Sequence, residues 1–219
     1  MPIDPVVSKK IAEQLLQIKA IKLQPEKPFT WASGWKSPIY CDNRISLSYP
    51  KVRTYIRQEL VSAIEKEYGK PEVIAAVATA AIAQGALVAE AMGLPFVYVR
   101  ASAKDHGRQN LIEGEIRNDQ SVVVIEDLIS TGQSSLRAVH ALREAGFNVK
   151  GMISIFNYGF ELSKQNFDDA QCPLISLCNY SELINLALES GYIKEDEVEM
   201  LRQWRTAPEL WSQLSDDIK

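Results

Sequence analysis

Residues 121–134 constrain the fold of this chain more than any other stretch: Ser-Val-Val-Val-Ile-Glu-Asp-Leu-Ile-Ser-Thr-Gly-Gln-Ser. Val122, Val123, Val124 and Ile125 are four β-branched residues in a row, the pattern of a strand buried on both faces. Glu126 and Asp127 stand at its carboxyl end. Ser130, Thr131, Gly132, Gln133 and Ser134 then form a hydroxyl-rich loop, and Leu136, Val139, His140 and Leu142 follow at helical spacing. A strand that passes through a short glycine loop into a helix suits a parallel sheet, whose ligands bind outside the carboxyl ends of the strands. Free N–H groups at a helix start attract phosphate, and neighbouring acids accept hydrogen bonds from sugar hydroxyls or face a metal ion. The stretch therefore predicts a sugar-phosphate site, with phosphate on the loop and hydroxyls near Glu126 and Asp127. An ordinary strand, turn and helix with solvated acids has the same outline, so the rest of the chain has to discriminate.

The flanking sequence alternates. Strands are expected at 73–77, 96–99, 122–125 and 152–156, with helices at 82–92 and from about 134 to 145, which implies a mostly parallel sheet flanked by helices. Before it, Val7, Ile11, Leu15 and Ile18 form one helical stripe. Residues 20–24 read as a short strand, 29–37 as loop and 37–42 as extended. Ser48 is expected to cap a helix that carries Pro50 in its first turn and stops at Gly69-Lys70-Pro71. The tail from 181 to 214 reads as helical, broken at Gly191 and Pro208. The expected organisation is one α/β domain: a helix and hood over 1–48, a core over 49–160 and a helical extension over 161–219.

Composition excludes little. A net charge of -4 gives no general attraction to nucleic acid. The apolar-rich stretch 73–83 is too short for a bilayer, and no basic segment followed by an apolar run opens the sequence, so a cytoplasmic protein is expected. Cys41, Cys172 and Cys178 lack metal-site spacing and read as free thiols.

The loop 100–113 is long, polar and basic, with Arg100, Lys104, His106 and Arg108 after a buried strand. A solvated loop is the plain reading; a lid over an anionic leaving group is the functional one. At this point the chain resembles a known family. Four apolar residues, two acids, two apolar residues and Ser-Thr-Gly resemble the phosphoribosyl-pyrophosphate motif of the type I phosphoribosyltransferases. Lys104-Asp105-His106-Gly107 with Leu111-Ile112-Glu113-Gly114 resembles the catalytic loop of the orotate branch. Phe29-Thr30-Trp31-Ala32-Ser33-Gly34 and Ser37-Pro38-Ile39-Tyr40-Cys41-Asp42-Asn43-Arg44 resemble its base-binding hood, and residues 77–84 are placed like its pyrophosphate loop.

The resemblance implies the type I phosphoribosyltransferase fold and transfer of a phosphoribosyl group from phosphoribosyl pyrophosphate to orotate. It also implies Mg2+ held mainly through substrate and water, and a homodimer whose catalytic loop serves the partner subunit. Carried over, Lys104, His106 and Arg100 bind pyrophosphate, and Glu126 and Asp127 hold the ribose hydroxyls, Asp127 also counting with the catalytic set. Leu128, Ile129, Ser130, Thr131, Gly132, Gln133 and Ser134 line the phosphate site. Ser130 takes the place of a hydroxyl residue that contacts orotate. The chain departs from better-known members at Ala32, Ala80, Ala101 and Asn157-Tyr158, where those carry Lys or Arg. A buried carboxylate needs a cation or donor, so Arg44 or Lys36 is expected to hold that of orotate. A transferase for another base, or a sensor that binds phosphoribosyl pyrophosphate without turnover, are the alternatives.

Overall fold

The computed structural model of the protein describes residues 4–31, 34–101, 111–115, 117–209 and 211. Helix α1 (Pro5–Gln17) starts where the Asp4 carboxylate accepts from the Val6 N–H, and it buries Ile11, Leu15 and Leu16. Four short strands follow: β1 (Ile21–Leu23), β2 (Phe29–Thr30), β3 (Lys36–Ser37) and β4 (Ile39–Cys41). β1 pairs antiparallel with β4, and β2 with β3, so the stretch expected as loop closes into a small hairpin. A 3-10 helix (Asn43–Ser48) leads into α2 (Pro50–Tyr68). Ser48 ends that 3-10 turn and does not cap α2; Tyr49 takes the cap position without a side-chain bond. Pro50, which has no N–H to satisfy, opens the helix.

The remaining elements are β5 (Val73–Val77), α3 (Ile82–Met92), β6 (Phe96–Val99), β7 (Ile112–Glu113), β8 (Ser121–Ile129) and α4 (Gln133–Glu144). They continue with β9 (Asn148–Asn157), α5 (Glu161–Asp169), β10 (Leu174–Asn179), α6 (Tyr180–Glu189) and α7 (Glu195–Thr206). β5 to β10 make one six-stranded sheet in the order β10-β9-β8-β5-β6-β7, parallel except where β7 runs against β6. The expected mostly parallel sheet flanked by helices is thus present.

Val73, Ala75, Val122 and Val124 face one side with Leu136, Val139 and Leu142 of α4. Ile74, Ala76, Val123 and Ile125 face the other, with Ile56 and Leu60 of α2 and Ile11 and Leu15 of α1. Residues buried on both faces explain why the β5 and β8 sequences are continuous apolar runs.

Two further expectations change. The segment after residue 160 is not helical throughout: it holds α5 and then β10, the sheet edge beside β9. The Leu-Ile-Ser-Leu-Cys-Asn run of β10 is short and interrupted by Ser176. Its buried hydroxyl lies 2.8 Å from that of Ser154 on β9, so the pair satisfies itself inside the sheet. Strand β8 also extends through Ile129, past the expected end at Ile125, so Glu126 and Asp127 lie within the strand.

The chain passes from β5 to β6 on one side and later returns to β8 on the other, so β5 and β8 flank the topological switch point. A crevice opens at such a point at the carboxyl ends of the strands.

One glycine fixes how the sheet meets α2. The β8–β9 register slips after Val122, which pairs with Val149, while Val123 pairs with Gly151, leaving Lys150 as the extra residue. A Cβ at Gly151 would stand 2.5 Å from Tyr68 Cε1 and 2.8 Å from the Pro173 carbonyl. The Tyr68 hydroxyl sits 2.8 Å from the Met152 carbonyl and 3.0 Å from that of Pro173. We expect Gly151→Ala to lower stability by about 1–3 kcal/mol in urea unfolding, as overpacking does. An unchanged midpoint would contradict this packing.

Candidate active site

β8 outruns its neighbour. Its pairing with β5 ends at Ala76–Ile125, whereas pairing with β9 continues to Ile129–Asn157. The last part of β8 therefore borders the crevice, and it carries the two acids.

The two adjacent acids differ in burial and in partners. Glu126 points to the α4 side, where one carboxylate oxygen accepts from the Ser135 hydroxyl at 2.7 Å and the other from the Asp127 N–H at 3.0 Å. It is only 5% exposed. Burial, and then the charge of Asp127, push its carboxyl well above the usual range, with the Ser135 bond pulling the other way. Asp127 is half-buried on the hood side. Burial raises its carboxyl too, against the hydrogen bond from Glu126 and the positive charge of Arg44. The backbone carbonyl of Asp127 accepts from Asn43 Nδ2 at 2.7 Å.

Beyond the acids, Ser130 and Thr131 are half-buried and lead to Gly132, the first cap of α4. Gly132 has φ +81, and a Cβ there would stand 2.6 Å from Phe167 Cε2, so only glycine fits. The Thr131 carbonyl accepts from Asn166 of α5 at 2.8 Å, fixing the turn from behind. No side chain caps α4. Its first N–H groups, at Gln133, Ser134 and Ser135, therefore form an anion cradle with exposed Gln133 and Ser134 at its rim. Leu128 is half-buried, and the Ile129 side chain is fully buried, so Ile129 offers only backbone. Across β5, α3 likewise starts without a side-chain cap, after the loop expected to receive pyrophosphate.

The hood rests on aromatic packing. Trp31 donates from Nε1 to the Ile39 carbonyl at 3.1 Å, and Trp204 of α7 donates to the Lys36 carbonyl at 3.2 Å. Trp31, Tyr158 and Trp204 pack with ring centroids 5.1–5.8 Å apart. Burial pushes the Tyr158 hydroxyl well up, so it stays neutral. Arg44 grips Asp42 through Nε at 2.7 Å and Nη2 at 2.9 Å, and this holds the Asp42 carboxyl below its usual range. Lys36 donates to the Thr30 hydroxyl at 2.7 Å.

Arg100 follows β6, on the far side of β5 from β8. Its N–H bonds the Leu111 carbonyl at 2.8 Å and its guanidinium lies 3.7 Å from Glu113, so the ends of the loop are tied to β6 and β7. Lys104 and His106 lie outside the described residues, as do Ala32 and Arg108.

Three supporting residues escaped sequence reasoning. Ser135 and Asn166 hold the acid and the turn into α4, and Asn43 pins the hood to β8. Ser135 left a signal as the third residue of the helix that follows the acids and Asn43 as part of the hood stretch, but neither was given a role.

Known proteins resemble the chain over most of its length. The phosphoribosyl transferase domain family matches residues 49–178. The chain is 56% identical over 205 residues to the orotate phosphoribosyltransferase of Porphyromonas gingivalis, covering 94% of this chain and 98% of that protein. It is 56% identical over 200 residues to that of Bacteroides fragilis, covering 91% and 94%. Among solved structures, orotate phosphoribosyltransferase from Aeropyrum pernix superposes with a TM-score of 0.73 at 23% identity, covering 84% of this chain and 99% of that one.

The raised carboxyls have a consequence for stability. A carboxyl whose folded pKa is raised contributes stability that is fully present below its ordinary value, 4.5 for Glu126, and is lost as pH rises through the folded value. A carboxamide in place of the Glu126 carboxyl retains the shape and the partners for both bonds but carries no charge. We expect Glu126→Gln to melt no higher than wild type at about pH 5 and higher by about 3 °C or more near pH 8. A difference in melting temperature that stays constant with pH would sink this reading.

Proposed function

The chain belongs to the orotate phosphoribosyltransferase family, and we propose that its reaction takes place in the crevice above β5 and β8. The enzyme transfers the 5-phosphoribosyl group from phosphoribosyl pyrophosphate to orotate, giving orotidine 5′-monophosphate and pyrophosphate in pyrimidine biosynthesis. The observation that carries the placement is the convergence at one switch point of the acid-bearing end of β8, the uncapped start of α4 and the hood.

In this reading the N–H groups and hydroxyls of residues 130–134 cradle the 5′-phosphate, and Asp127 accepts from the ribose hydroxyls. Glu126, bound to Ser135 and to the Asp127 N–H, sets the angle at which Asp127 is presented. The orotate nitrogen gives up its proton to solvent and bonds to the anomeric carbon as the carbon–oxygen bond to pyrophosphate breaks and its electron pair leaves with pyrophosphate. The protein's work is to orient the reactants, neutralise growing negative charge and exclude water. Arg100, Lys104 and His106 stabilise the departing pyrophosphate.

Mg2+ fits the donors present. Asp127 is a half-buried carboxylate beside the crevice, while Glu126 is committed to protein partners. Such a site suits an ion that keeps much of its water and takes oxygen ligands from phosphates. Bound there, Mg2+ would neutralise pyrophosphate charge. The carboxylate of orotate falls to Arg44, whose grip on Asp42 orients the guanidinium while leaving its other N–H groups to bind. The enzyme works as a homodimer in the cytoplasm, its catalytic loop reaching the partner's crevice, with neither nucleic acid nor membrane as partner. Among the described residues no helix is long and apolar enough to cross a membrane.

The test is turnover. Purified protein with Mg2+ and phosphoribosyl pyrophosphate should consume orotate, followed by ultraviolet absorbance, and leave adenine, guanine, hypoxanthine, xanthine and uracil untouched. Turnover of another base would overturn the hood assignment. Arg44→Ala should raise the KM for orotate by about tenfold or more, the loss of a charge-assisted contact; an unchanged KM would move the role to Lys36. Lys104→Ala should lower kcat far more than it weakens phosphoribosyl pyrophosphate binding. Mixed dimers of Lys104→Ala and Asp127→Asn subunits should regain activity, and inactive mixed dimers would mean that each loop serves its own crevice.

A further inference from the structure

We propose that Asn43 is a positioning residue of this enzyme, the pin that sets the base-binding hood at a fixed distance from the ribose-binding acid of β8. The proposal rests on the assignment of Asp127 to the ribose.

Asn43 is 2% exposed, yet every polar group of its side chain has a partner. Nδ2 donates to the Asp127 carbonyl at 2.7 Å, and Oδ1 accepts from Cys41 Sγ at 3.3 Å. The amide orientation is unambiguous, because a backbone carbonyl only accepts and so must face the NH2 group. The Asn43 carbonyl in turn accepts from the Ser46 hydroxyl at 2.6 Å, locking the first turn of the 3-10 helix. Burial and the nearby Asp127 keep Cys41 a thiol, so it can go on donating.

The place of the contact gives it its meaning. Past Ile125, β8 no longer has β5 beside it. The Asp127 carbonyl lies in that stretch, which pairs only with β9, and a donor from the hood takes it. The same tetrapeptide, Cys41-Asp42-Asn43-Arg44, carries the Asp42–Arg44 pair. Two adjacent residues therefore do complementary work: Arg44 faces the base and Asn43 holds the backbone of the acid that faces the sugar. The reaction needs the orotate nitrogen and the anomeric carbon in near-attack contact, and misplacement of the order of 1 Å costs about a hundredfold. A contact that ties one binding element to the other fixes that separation.

The test uses two variants of the full-length enzyme. Asn43→Leu keeps the volume and removes both polar contacts. Asn43→Asp keeps the shape and the acceptor for Cys41 but removes the donor. Steady-state kinetics per folded site, phosphoribosyl pyrophosphate binding by calorimetry and melting temperature are measured for each, with Asp127→Asn alongside. We expect kcat to fall about tenfold or more in both variants, with the KM values and the binding constant within about threefold of wild type. A purely structural role would instead lower the melting temperature and leave kcat per folded site within about twofold, and that result would overturn the proposal. If Asp127→Asn turned over at the wild-type rate, the site assignment itself would fall, and the pin with it. Loss of activity in Asp127→Asn alone would reject the pin and keep the site.

Discussion

The site depends on a mismatch in strand length. β8 runs on to Ile129 after β5 has parted from it at Ile125, so the backbone that bears Glu126 and Asp127 borders an opening at the switch point of the sheet. A strand end in that position would present unpaired backbone groups, each costly if buried without a partner. This protein meets the requirement from three directions. β9 pairs along one side as far as Asn157, Asn43 reaches from the hood to the Asp127 carbonyl, and the Tyr158 N–H closes on the Ile129 carbonyl at 3.0 Å.

Around that strand end the two acids meet different partners. On the α4 side Glu126 is buried and bound to Ser135, which couples the acid to the first turn of α4. On the hood face Asp127 is half-buried and feels the charge of Arg44. Two neighbouring carboxyls in one strand thus differ in burial and in the partners around them. The C-terminal helices belong to this arrangement. Trp204 of α7 donates to the Lys36 carbonyl and packs against Trp31 and Tyr158, so the tail supports the hood from below. Tyr158 is buried beneath them, and burial keeps its hydroxyl neutral.

Much of this was legible in the sequence, for physical reasons. A strand buried on both faces has no choice but a continuous apolar run, and Val122 to Ile125 show one. The turn into α4 admits only glycine at 132, with Phe167 against it, so the motif survives as a readable pattern. What stayed hidden depended on partners distant in the chain. Ser176 reads as a break in a strand until Ser154 is seen opposite it. Asn43 stands in the hood stretch, but nothing local shows its role, since its partner lies 84 positions away. The strand signal ended early at Ile125 because acids argue against burial, yet Glu126 is buried, and the hydroxyl that makes this tolerable is at Ser135.

The most direct test of the whole account is a crystal structure of the protein with orotidine 5′-monophosphate bound. The account predicts the phosphate on the N–H groups at the start of α4, the ribose hydroxyls at Asp127, and the pyrimidine under the hood with its carboxylate toward Arg44. A nucleotide seated elsewhere, such as the groove of about 520 Å³ between α5 and β10, would contradict it.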